Sequence, residues 1–82
     1  MDKKDIHIGR LIHQELESQE RTVAWFARKL CCDRSNVYKL FSRSTIDISL
    51  LCRVSVILNC NFLELYAAEV DRQISAGVEP QQ

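Results

Sequence analysis

Proline occurs once in these 82 residues, at Pro80, and glycine twice, at Gly9 and Gly77. No strong helix breaker therefore stands from position 10 to 76, which favours an all-helical (all-α) fold. Long apolar runs are missing as well. The longest are a few residues, far short of the roughly 20 that a bilayer-crossing helix needs, and no apolar segment follows the polar start Met1-Asp2-Lys3-Lys4-Asp5. We therefore expect no membrane partner and a cytoplasmic location. An excess of charge of one sign is absent too, because eleven Lys and Arg balance eleven Asp and Glu. Taken alone, that zero points to no particular partner and argues mildly against a nucleic acid. What is present, 46% hydrophobic and 27% charged residues, is the balance of a folded globular chain. The length holds one small domain, without room for a second.

Signatures of catalysis are also missing. The chain has no motif of nucleophile with base, no carboxylate pair set for a pocket and no glycine-rich phosphate loop, and we expect neither an enzyme nor a cofactor. The four cysteines, Cys31, Cys32, Cys52 and Cys60, would suggest two disulfides in a secreted chain this short, but no secretory segment supports that reading. Their spacing lacks the C-x2-C pairs by which two thiolates reach one tetrahedral zinc ion, so no metal is expected. In a reduced cytosol Cys52 and Cys60 read as small buried hydrophobes. His7 and His13 do not share a helical face and read as surface residues without a metal or catalytic role.

Apolar spacing divides the chain into five helices. In the first, from Asp5 to about Gln19, the stripe is Ile8, Leu11, Ile12 and Leu16. Thr22 is suited to cap a short second helix whose stripe is Val23, Phe26, Ala27 and Leu30. Asp33 is suited to cap a third, running to about Ser42 with Val37, Leu40 and Phe41 on its apolar side. Asp47 caps a fourth, Ile48 to Leu58, and Asn59 suits the left-handed residue that ends it. Asn61 and Glu64 form a capping-box pairing for a fifth helix that continues toward Ile74. Residues 1–74 then make the domain, and 75–82 a polar tail expected to fray. Trp25 lies off the stripe of the second helix, near Arg28 and Lys29. It is expected to cover the end of another helix or, alternatively, to anchor a partner.

The second and third helices are joined by only Cys31, Cys32 and Asp33. Such a short turn holds the second of two helices at a fixed angle, so that its first side chains can enter a major groove about 12 Å wide. The stretch from Ile8 to about Tyr66 resembles the phage-repressor and Cro-like helix-turn-helix DNA-binding family, also called Xre-like. The most specific piece is TVAWFARKLCCDRSNVYKLF, Thr22 to Phe41. There Ala27 matches the small residue where the helices cross, Leu30 the apolar end of the second helix, and Val37 and Leu40 the buried positions of the recognition helix. Leu58-Asn59-Cys60 followed by Asn61 resembles the family's ending. The chain departs from the pattern at Cys31, where glycine is common and a side chain costs on the order of 1 kcal/mol. It departs again at Asp33, where a neutral Ser or Thr is frequent.

The resemblance implies a five-helix, lambda-repressor-like domain that binds double-stranded DNA and acts as a small transcriptional regulator at a short palindromic operator. It implies base contacts from Arg34 and Ser35, at the start of the recognition helix, and from Lys39, one turn on. Arg34 can donate to guanine O6 and N7 together. Backbone contacts fall to Thr22 and Val23, at a helix N-terminus that would approach a phosphate, and to Asn36, Tyr38, Ser42 and Arg43. The fourth helix carries a surplus apolar stripe, Leu50, Val54 and Ile57, beside Ile48, Leu51, Ser55 and Leu58, and the fifth carries Leu63, Val70 and Ile74. One chain can bury one face of each helix, so a homodimer through these six residues is expected, with two recognition helices about 34 Å apart.

The neutral total also divides unevenly along the chain. Residues 1–20 hold three basic and five acidic side chains, 21–53 seven and two, and 54–82 one and four. A basic middle, carrying the turn and recognition helix, lies between acidic ends. Two other readings stay open. The same fold can serve as a protein-interaction module, an adaptor or antitoxin-like partner with weak DNA affinity. Cys31 and Cys32 can be the reactive pair of a thiol-based redox or metal sensor, although adjacent cysteines form a disulfide only with strain.

Overall fold

The computed structural model describes residues 6–77, and among them it contains five helices and no strand. They are α1 (Ile8–Ser18), α2 (Val23–Leu30), α3 (Arg34–Phe41), α4 (Ile48–Leu58) and α5 (Leu63–Ser75). The all-α reading holds, and the helices fall close to the stripes and caps in the sequence.

Helix α1 begins later than expected. His7 caps it, its Nδ1 accepting from the Arg10 N–H at 3.2 Å. The N–H groups of Ile8 and Gly9 donate to the carbonyls of Ser44 and Arg43, at 3.1 and 2.9 Å. The first turn of α1 thus finds its acceptors in the chain that leaves α3, and the helix starts where those acceptors are. Gly9 makes this approach possible: a Cβ there would overlap the carbonyl oxygens of Leu40, Phe41 and Arg43. The expected start at Asp5 lies outside the described residues.

Thr22 caps α2 as expected, its Oγ1 accepting from the Trp25 N–H at 3.0 Å. Cys31 ends the helix at φ 58°, in the left-handed region, and the Cys32 N–H reaches back to Ala27 O at 3.0 Å. The turn geometry associated with glycine is therefore adopted by a cysteine. Asp33 does open α3, but only its backbone carbonyl is used, accepting from Asn36 and Val37. Its carboxylate makes no capping bond. Asp47 behaves differently and caps α4, Oδ1 accepting from the Leu50 N–H at 2.7 Å. Asn59 ends α4 at φ 52°, as its small amide side chain allows. The expected capping box of α5 is replaced: Phe62, buried, stands before the helix, and Asn61 Oδ1 accepts from the Leu63 N–H at 3.1 Å. The helix runs through Ser75, one residue beyond the expected domain end. Residues 78–82 of the expected tail lie outside the described residues.

The core draws Ile8, Ile12 and Leu16 from α1, Phe26, Ala27 and Leu30 from α2, Val37 and Leu40 from α3, and Leu51, Val54 and Leu58 from α4, with Phe62 below them. Helix α3 packs on α2 and α1, and α4 closes over α1 and α2. Side chains from neighbouring helices cap the free carbonyl ends: Arg53 Nη2 donates to Leu30 O at 3.2 Å, and Gln19 Nε2 to Leu58 O at 2.7 Å. Helix α5 packs chiefly on α4, and none of its residues is buried. A fully buried Leu, Ile or Phe contributes about 1.5–3 kcal/mol, so the first four helices hold one another while α5 has only partial contacts from Leu63 and Tyr66.

The surplus stripe of α4 is corrected. Val54 is fully buried within one chain, with no surface left for a second copy, and Leu50 and Ile57 lean on the same core. The exposed apolar stripe is instead Ile48, Cys52 and Val56, one turn apart on the opposite face. Cys52, read as a small buried hydrophobe, is therefore exposed. No helix among the described residues is long and apolar enough to cross a membrane.

Candidate nucleic-acid interface

Helix α3 turns Val37 and Leu40 into the core and leaves Arg34, Ser35, Asn36, Tyr38 and Lys39 exposed. At about 100° per residue, Ser35 stands opposite the buried pair, Tyr38 and Lys39 flank it, and Arg34 and Asn36 take the two edges. Asn36, Lys39 and Arg43 line one side of a shallow cleft of about 220 Å3 against Leu50 of α4. One convex helical face thus brings together all three residues expected to read bases and several of those expected at the backbone.

The remaining expected contacts differ in what they can offer. Thr22 is exposed, and while its hydroxyl oxygen accepts the capping bond its proton stays available to donate to a phosphate. Val23 is half-buried against the core, so only its main chain, in the first turn of α2, could meet a ligand. The Ser42 hydroxyl donates to Lys39 O at 2.7 Å. A hydroxyl has a single proton, so Ser42 would have to give up this bond to donate to a phosphate.

Aromatic contacts add residues to the site, of which His13 and Arg21 carried no clear signal in the sequence. His13, read as a plain surface residue, is half-buried and stacks on Phe41 with ring centroids 4.3 Å apart and planes at 10°. Tyr38 meets the same Phe41 ring edge-on at 6.1 Å, so α1 braces α3 through an aromatic relay. Trp25 is partly buried and packs against the core. The Arg21 guanidinium lies 4.5 Å from its ring centroid and Lys29 Nζ 5.9 Å. Both distances are within cation–π range, and they gather two cations around the Trp25 ring, Arg21 from before α2 and Lys29 from its last turn.

All seven basic side chains of residues 21–53 are exposed, from Arg21 to Arg53. Among the described residues, Arg53 alone of these seven spends a side-chain hydrogen bond inside the fold, on Leu30 O. The exposed Asp33 carboxylate stands beside Arg34 as the nearest negative charge in sequence. Shifted titrations lie elsewhere: burial, then Glu15 and Glu64, push the Cys60 thiol up, and burial pushes up the Tyr66 hydroxyl. Cys31 is exposed while Cys32 packs against the core, and both thiols are free. Among the described residues, no group of three His, Cys, Asp or Glu could hold a metal ion. Compared with protein-family models, curated proteins and solved structures, the chain matches none.

Proposed function

We propose that this chain is a repressor-like helix-turn-helix protein that binds double-stranded DNA as a homodimer and regulates transcription, with α3 entering the major groove. The observation that carries this reading is the division of α3 into a buried edge, Val37 and Leu40, and an outward face of hydrogen-bonding side chains. A helix of about 10–12 Å diameter fits a groove about 12 Å wide. Held from behind by α1 and α2, it can present Arg34, Ser35 and Lys39 to base edges without first ordering itself. Exposed Arg21, Arg28, Lys29 and Arg43 supply charge for phosphates around it. In α5, Leu63 leans on the chain's own core, as Leu50 and Ile57 do, but the exposed Ala67, Val70 and Ile74 recur at the three- and four-residue spacing of a helix-pairing seam. The absence of any buried residue in α5 supports pairing of that seam with a second copy.

Selection from a random duplex pool, followed by titration of the selected site across a salt series, tests the proposal. Affinity should fall steeply with salt as counterions are released. Arg34→Ala should cost roughly 1–3 kcal/mol on that site and relax the preference at one base pair. A protein-interaction module is the second reading, favoured by the apolar residues that α5 leaves exposed, Leu65, Val70 and Ile74. Salt-independent or undetectable binding to every duplex would select it over the first.

A further inference from the structure

A groove of about 430 Å3 lies between α1 and the junction of α4 with α5. Leu11, Phe62 and Leu65 give it an apolar lining with Cys60 among them, while Glu15 of α1 and Glu64 of α5 bring a carboxylate from each wall. The groove exists because α5 packs chiefly on α4 and leaves space beside α1. None of the residues that line it belongs to α3. Leu11, Gln14 and Ser18 share one flank of α1, and His13, which touches α3 through Phe41, lies more than a third of a turn around the helix.

The chemistry of the walls selects the occupant. A wholly apolar molecule would strip water from two carboxylates and return nothing, and an anion would be repelled. An apolar body carrying a positive charge satisfies both the lining and the rim. The volume sits near the lower end of the about 300–1,000 Å3 typical of small-ligand sites, which suits a single ring or short chain better than a polypeptide. That both carboxylates raise the Cys60 thiol pKa, after burial as the larger cause, is consistent with their field reaching the groove lining.

We propose that this groove binds a small organic cation, an apolar ring or chain bearing one amine or amidine, held between Glu15 and Glu64. Glu15 also accepts from Gln19, which in turn caps α4 through Leu58 O. A bound cation would therefore tie α5 to α1 at the junction where α4 ends. The proposal does not rest on the DNA reading, and its test needs no DNA.

Benzamidine, benzamide and benzoate share one shape and differ in charge, so we would titrate each into the full chain and follow backbone amide resonances. Benzamidine should give saturable shifts at Leu11, Glu15, Cys60 and Leu65 and slow amide exchange in the first turns of α5. Benzamide should bind about tenfold more weakly and benzoate not at all. Glu15→Gln combined with Glu64→Gln keeps side-chain size and leaves Gln19 an acceptor. That variant should weaken benzamidine about tenfold while leaving benzamide unchanged. Equal binding of the three probes, shifts that map to another surface, affinity indifferent to the double substitution, or no saturation by benzamidine below roughly 10 mM would each overturn it.

Discussion

Gly9 and Cys31 show how much one Cβ can decide. At Gly9 the first turn of α1 lies against three carbonyl oxygens at the end of α3, so Gly9→Ala must push the two helices apart. Overpacking of this kind costs about 1–3 kcal/mol, and urea unfolding should show that loss. Cys31 is the reverse case: its φ of 58° places a side chain where glycine carries no penalty. Cys31→Gly should raise stability by up to roughly 1 kcal/mol, measured in the same way. The sequence marked Cys31, because a glycine is usual there in the resembling family. Gly9 carried no mark, since a glycine in a helical stripe reads as a weak position until the backbone it touches is known.

Between elements, two aspartates that look alike in the sequence have different work. Both open a helix, but Asp47 accepts from the Leu50 N–H and Asp33 makes no side-chain cap. Asp47→Ala should cost about 1 kcal/mol, whereas Asp33→Ala should change stability by less than roughly 0.5 kcal/mol. Thermal unfolding of the two variants in parallel separates them. If α3 meets DNA, Asp33→Ala should also tighten binding, because it removes a negative charge beside Arg34. Capping potential was legible in residue type. Whether it is used depends on side-chain rotamer and neighbours, as the replaced capping box of Asn61 and Glu64 also shows.

At the scale of the whole molecule, exposed basic side chains concentrate on α2, α3 and the following loop, while α5 interleaves exposed apolar residues with Glu64, Glu69, Asp71 and Arg72. This sharpens the dimer expectation. Val70 and Ile74 are 54% and 70% exposed, and Val54 is 0%. Val70→Asp with Ile74→Asp should therefore abolish self-association in sedimentation equilibrium while leaving the helical signal intact. Val54→Ala should instead lower stability by roughly 2 kcal/mol through a core cavity. A dimer that survives the double aspartate substitution would require another surface, for which the exposed stripe Ile48, Cys52 and Val56 is available.

The number of helices, most of their boundaries and the outward face of α3 were determined by the sequence alone. Apolar spacing at 3.6 residues per turn and the chemistry of caps are local properties, set within a few residues. The tertiary structure decided which of two apolar stripes on α4 turns inward, why α1 starts at Ile8, and that α5 stands with no buried residue. Each of these depends on where another helix arrives. Leu51 and Val54 are core because α1 and α2 cover that side, and Val56, no less apolar, is surface because none of the described helices covers it.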